Sequence, residues 1–189
     1  MTLTVADLTG YVERDLDADV ARWLAAEDRV VVPASTRPVA PFAARLSPAD
    51  AAALTGLDRR VRAGAFPQIL DAYDWSYGFD FAANGARIVD SDYETELIDD
   101  DVFAIGADGG GNYLVVLTNG QVAVWFHEEE VLEADTRFDN LDVFIWSMVR
   151  FAAVRAGTLP VTEVEADFRA LAQPGAVHPE FGLLTRMKH

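Results

Sequence analysis

Hydrophobic residues between Val102 and His127 fall into three short runs, Val102 to Ile105, Tyr113 to Leu117 and Val122 to Phe126, separated by polar, glycine-containing breaks. Runs of this length bounded by turn residues read as strands. The first break is the loop Ala107-Asp108-Gly109-Gly110-Gly111, and the second carries Asn119-Gly120. Asn-Gly predicts a two-residue type I′ turn, because both central residues need positive φ. Asn tolerates that conformation, and Gly adopts it without a Cβ clash. With Thr118 opposite Gln121, such a turn places Val116 across from Ala123 and Leu114 across from Trp125. The same signal predicts a second hairpin, Phe79 to Ala83 and Ala86 to Val89 around Asn84-Gly85. Together these segments predict an antiparallel sheet of about five strands.

Elsewhere the apolar spacing is helical. Val20, Trp23 and Leu24 share one face of a helix expected over Asp17 to Ala26, capped by Asp17. Ser47-Pro48-Ala49-Asp50 opens a helix reaching Arg62 and interrupted at Gly56. Phe66-Pro67 introduces a short helix, Gln68 to Tyr73. The longest pattern runs from Asn140 to Ala156, with Leu141, Phe144, Ile145, Met148, Val149 and Ala152 recurring at helical spacing before Gly157. It is long and apolar enough to cover one face of the sheet. Thr162 and Glu165 form a capping-box pattern for a last helix to Ala172, stopped by Pro174-Gly175, and the tail to His189 shows no periodicity. Val30-Val31-Val32 before Pro33 reads as an edge strand or extended segment. The expected fold class is α+β, one domain over residues 1–189.

Composition narrows the function. No apolar run approaches the ~18 residues needed to span a bilayer. The start, Met1 to Asp7, lacks the basic and apolar stretches of a signal peptide, so a cytoplasmic location is the expectation. The absence of cysteine excludes disulfides, thiolate zinc sites and a cysteine nucleophile. The formal net charge is −16, and between Asp71 and Asp108 eleven carboxylates face a single cation, Arg87. Such a surface disfavours nucleic acid and anionic membrane, which need cations. It attracts a basic protein or a divalent cation, or serves only to keep the chain in solution.

Specific chemistry is sparse. Asp108-Gly109-Gly110-Gly111 is followed by a strand instead of a helix and lacks the Walker lysine, so it is expected to be a turn, not a phosphate cradle. Asp90-Ser91-Asp92-Tyr93-Glu94 begins like a calcium loop but has Thr95 where glycine is required and Asp101 at the twelfth position. His127 has no second histidine four residues on, and His178 and His189 stand in the tail. No serine sits in Gly-x-Ser-x-Gly. No catalytic, cofactor-binding or metal residue is assigned. Trp75 and Tyr77, in a loop beside the acidic segment, have the composition of interface anchors, with burial in the sheet edge as the competing reading. With Asp90, Asp92, Glu94, Glu96, Asp99, Asp100 and Asp101 they form the expected partner-binding set.

From Val102 to Val154 the order of parts resembles the SUKH superfamily, which includes many bacterial immunity proteins and a fungal cell-wall-assembly regulator. The matching parts are a strand ending in Ile105-Gly106, the glycine loop and the strand Tyr113 to Leu117. A turn follows, then a strand ending in Val124-Trp125-Phe126-His127-Glu128 and the helix Phe144 to Val154. Phe66-Pro67-Gln68-Ile69-Leu70-Asp71-Ala72-Tyr73 resembles the family's short proline-led helix. The resemblance implies a SUKH-like core over about 66–156, with a helical extension over 1–65 and a helix and tail over 160–189. It also implies a non-enzymatic immunity protein that blocks a cognate polymorphic toxin. A regulatory or scaffold protein of the same fold is the alternative, and a hydrolase using the acidic cluster and a divalent metal ranks third.

Overall fold

The computed structural model describes residues 2–34, 36–92 and 94–188. In chain order the helices are α1 (Tyr11–Arg14), α2 (Leu16–Trp23), α3 (Ala40–Ala43), α4 (Pro48–Arg62), α5 (Leu141–Arg155), α6 (Val161–Leu171), α7 (Pro174–Val177) and α8 (Leu183–Met187). The strands are β1 (Ile88–Asp90), β2 (Thr95–Leu97), β3 (Val102–Ala107), β4 (Tyr113–Leu117), β5 (Val122–Phe126) and β6 (Val131–Leu132). They form one α+β arrangement around a six-stranded sheet ordered β2-β1-β6-β5-β4-β3. The sheet is mixed, because β1 and β6 run parallel.

Helix α5 is the centre. The Asn140 side chain accepts a hydrogen bond from Val143 N at 3.0 Å and starts the helix where the sequence predicts. Every residue from Leu141 to Val149 is buried. A helix enclosed on all sides needs no polar stripe. One side of α5 meets the face of the sheet carrying Phe103, Ile105, Leu114, Val116 and Val122, in a cluster that also includes Leu8, Leu16, Leu54 and Leu57 from the first 65 residues. Those N-terminal helices are therefore built into the main core. Asp142 ties them to α5, accepting from Gly10 N at 2.7 Å and Val12 N at 2.8 Å. Burial raises its carboxyl above the ordinary value, and those two backbone donors oppose the shift.

Helix α4 begins at Ser47, whose hydroxyl accepts from Asp50 N at 3.2 Å, and passes through Gly56 without a break. The Glu13 carboxylate of α1 lies over Gly56, in the space a Cβ there would take. The other face of the sheet buries Ile88, Val102, Ala104, Val115, Leu117, Ala123 and Trp125 in a second cluster with Phe81 from the segment before β1. The outer edge of β3 is covered, with Ala107 N donating to Leu70 O at 2.8 Å and Gly78 N to Ala104 O at 2.7 Å.

Several expectations are corrected. The β4–β5 turn has three loop residues, with Leu117 N donating to Gln121 O and Gly120 N to Leu117 O. Only Gly120 takes positive φ (88°), while the Asn119 side chain accepts from Gln121 N. The register is thus Val115 with Ala123 and Tyr113 with Trp125, one residue from the prediction, which moves Leu114 to the helix-covered face. Asn84-Gly85 makes no hairpin: Ala82–Asn84 is a 3-10 turn ended by Gly85 at φ 69°, and β1 pairs instead with β2. Residues 68–73 are not helical, because their backbone groups bond outward to Asp28 and to β3. Helix α2 starts after Asp15 and not at Asp17, and α6 starts after Pro160, so Thr162 lies inside it and caps nothing. Pro174 opens α7, and the tail carries a second short helix, α8. Val30 to Val32 forms no strand, although Val30 N donates to Phe66 O at 2.9 Å.

Candidate functional site

The turn at residues 74–78 sorts the two aromatic candidates. Fully buried Ser76 donates its hydroxyl to Asp71 O at 2.7 Å and accepts from Tyr73 N at 2.8 Å, which fixes the turn from within. Tyr77 points inward. It is 1 % exposed, its hydroxyl donates to Asp58 Oδ1 at 2.7 Å, and its ring meets Phe103 edge-on at 5.5 Å. It is a core residue. Trp75 points outward and is 50 % exposed.

Trp75 has support beneath it. It stacks on Tyr73 at 5.6 Å and meets the edge of Tyr113 at 6.3 Å. Tyr113 stacks on Phe79 at 4.3 Å, and Phe81 and Trp125 continue the chain of rings into the core. Such ring pairs contribute about 0.5–1.5 kcal/mol each beyond area burial. An open cleft of about 530 Å³ adjoins these rings, lined by Arg37, Asp74, Asp80 and Asn84 as well as Trp75 and Tyr113. Among the described residues the Asp74 carboxylate has no hydrogen bond or ion pair. Tyr73 and Tyr113 are absent from the sequence-derived set. Their role follows from the β4 register and the turn, which the sequence pattern places differently.

The acidic segment does not present one face. Asp90 is buried against Arg137, whose Nη2 donates to its Oδ1 at 2.6 Å, and Asp92 lies 3.4 Å from Arg137 Nε. Asp99 accepts from Phe81 N at 2.6 Å and Ala82 N at 2.8 Å, capping the 3-10 turn. Asp101 pairs with Arg45 at 2.9 Å and accepts from Ile98 N at 3.1 Å. Arg45 also donates to the Asp100 carbonyl. Glu96 pairs with Arg87 at 3.1 Å, and that contact holds its carboxyl below the ordinary value. The Asp100 side chain is exposed, 3.7 Å from Arg37, and Glu94 is exposed at φ 49°. The expected partner-binding set is therefore corrected at Asp90 and Tyr77, which are buried, and narrowed elsewhere by internal pairing. Outside β2 and the 3-10 turn Asp99–Asp101, carboxylates satisfy backbone N–H groups of this stretch, Asp90 accepting from Asp92 N and Asp101 from Ile98 N. Tyr93 and His189 lie outside the described residues.

The glycine loop turns inward on its own aspartate. Asp108 Oδ1 accepts from Gly110 N at 2.8 Å and Asn112 N at 3.2 Å, and Oδ2 accepts from Asn112 Nδ2 at 2.8 Å. Two backbone donors of the loop, Gly110 N and Asn112 N, are thus taken by a carboxylate. His127 Nδ1 lies 2.9 Å from Asn112 Oδ1 and braces the same loop. Among the described residues no group of three His, Asp or Glu side chains could hold a metal ion, and no helix is long and apolar enough to cross a membrane.

No match emerges from comparison with family models, curated proteins or solved structures. The geometry alone selects Trp75 and its surroundings as the candidate interaction surface. Trp75 is a half-exposed aromatic packed on Tyr73 and Tyr113, beside a cleft in which Asp80 accepts from Ala83 N and the Asp74 carboxylate is uncommitted among the described residues.

Proposed function

We propose that the chain is a non-enzymatic, cytoplasmic immunity-type protein that binds and blocks a basic partner, a cognate toxin domain, through the surface centred on Trp75. The half-exposed Trp75 ring, packed against Tyr73 and Tyr113, carries the reading. Interface hot spots are enriched in tryptophan and tyrosine held in place before binding. The charge of −16 supports a cationic partner, since complementary fields accelerate encounter and exclude like-charged competitors. The resemblance of Val102 to Val154 to SUKH immunity proteins supplies the partner class.

Within this reading the contact set is Trp75, Tyr73, Asp74, Glu94, Glu96 and Asp100. Asp90, Asp92, Asp99 and Asp101 shape the segment that carries it. Blocking is steric and electrostatic and requires no chemistry from this chain. Affinity capture with the tagged protein from the cells that produce it, followed by mass spectrometry, tests the proposal. The expected product is one basic toxin-like protein, released by raised salt. Capture of only acidic or housekeeping proteins contradicts it.

A further inference from the structure

A separate cavity of about 250 Å³ lies between the helix-covered face of the sheet and the C-terminal helices, and it shares no residue with the cleft beside Trp75. Its floor is Leu114 of β4 and Val124 of β5, α5 supplies Phe144 and Met148, and Phe181 and Leu183 close it from the C-terminal segment. Three charged residues are part of its lining: Asp71, Asp108 and Arg186.

Their commitments differ. Asp108 is saturated by its own loop. The Asp71 carboxylate has no hydrogen bond or ion pair among the described residues, although its backbone carbonyl is pinned by Ser76. Asp71 also sits in the left-handed region at φ 43°, a conformation that non-glycine residues adopt at a cost and that collects at ligand sites. The Arg186 guanidinium lies over the Phe151 ring at 5.1 Å and has no carboxylate within 4.0 Å among the described residues. One uncommitted anion and one uncommitted cation therefore flank an apolar cavity.

We propose that this cavity binds a free α-amino acid with an apolar side chain. Its ammonium group meets Asp71, its carboxylate meets Arg186, and its side chain enters among Leu114, Phe144 and Met148. Size agrees: a cavity of about 150 Å³ holds benzene, so about 250 Å³ accommodates a phenyl or branched aliphatic group with its polar end at the rim. Charge selects the zwitterion. A hydrocarbon leaves both rim charges unanswered, an amine leaves Arg186, and a carboxylic acid leaves Asp71. A few placed polar groups over an apolar lining are what fix ligand orientation in small-molecule sites.

Isothermal titration with L-phenylalanine and L-leucine tests this, with 2-phenylethylamine and 3-phenylpropanoate as single-charge controls. At least one amino acid should bind with a dissociation constant below about 1 mM. Each control should bind at least about tenfold more weakly, the loss expected of one charge-assisted contact. Asp71→Asn, which retains a residue tolerant of the left-handed backbone, and the exposed Arg186→Gln should each weaken binding by a similar factor without altering thermal unfolding. Absence of saturable heat with both amino acids overturns the proposal. So do controls that bind as tightly as the amino acids, or charge variants that bind like the wild type.

Discussion

The two faces of the sheet are covered by different means. On one face α5 closes its own backbone hydrogen bonds, leaving its side chains to pack, and nine consecutive residues from Leu141 to Val149 are buried. On the other, residues 79–87, before β1, bring Phe79, Phe81 and Ala86 against Val115 and Trp125 with only one 3-10 turn of regular structure, and Phe81 N and Ala82 N take the Asp99 carboxylate as their partner. The difference explains where the acidity goes. A helix has little use for carboxylates beyond its first turn, whereas an irregular cover uses them as caps and ion-pair partners. Asp90, Asp92, Asp99 and Asp101 answer to that need, so a run that reads as a docking surface in the sequence is in good part internal scaffolding.

The largest expected effect tests the helical side. Phe144→Ala should destabilise the fold by about 3–5 kcal/mol, because a buried aromatic leaves a cavity that the packed helix cannot close. Denaturant unfolding measures it, and a loss under about 1 kcal/mol would mean that α5 is not the centre of the core. On the irregular side, Arg137→Met should cost about 3 kcal/mol by leaving Asp90 buried without its cation. Adding Asp90→Leu should recover most of that loss, and failure to recover would show that the pair is not the source of the cost.

Smaller effects sharpen the contrast. Asp99→Ala should cost about 1 kcal/mol and Asp99→Asn only a few tenths, since asparagine caps nearly as well as aspartate. Equal losses would assign Asp99 a purely electrostatic role. Asp100→Lys should change stability by under about 0.5 kcal/mol, in keeping with an exposed side chain. Alkaline pH gives the last contrast. Burial raises the Tyr77 hydroxyl well above its ordinary 10.0, so it stays neutral in the fold while the unfolded chain ionises there. Its contribution is complete below that value and declines as pH rises past it. Tyr77→Phe should flatten the fall in stability above pH 10, and an unchanged slope would contradict the burial.

What the sequence made legible follows the same division. Strands β3, β4 and β5 and helix α5 are periodic, locally capped and correctly placed, because Asn140 and the apolar runs act on their own neighbours. The two Asn-Gly pairs mark turns in both places, yet the turn types are settled by distant contacts. Gly120 packs against the Asp50 carboxylate at the start of α4, and Asn84-Gly85 sits in a turn capped by Asp99. The parallel pairing of β1 with β6 joins residues about forty positions apart, and no local pattern announces it. For the site, Trp75 is legible as an aromatic among acidic residues. The inward turn of Tyr77 depends on Ser76, a small polar residue whose burial no pattern signals, and on Asp58, nineteen residues away in α4.

Trp75 is proposed as the partner's anchor, while the acidic residues held in internal hydrogen bonds and ion pairs serve the fold. Surface plasmon resonance of the captured partner against wild type and Trp75→Ala tests it most directly. The account predicts that Trp75→Ala weakens binding by about 2 kcal/mol or more, roughly thirtyfold, chiefly through faster dissociation. Its unfolding midpoint should stay close to wild type, because half of the ring is in solvent. A Trp75→Ala protein that binds the partner as tightly as wild type would contradict the claim and move the interface elsewhere on the molecule.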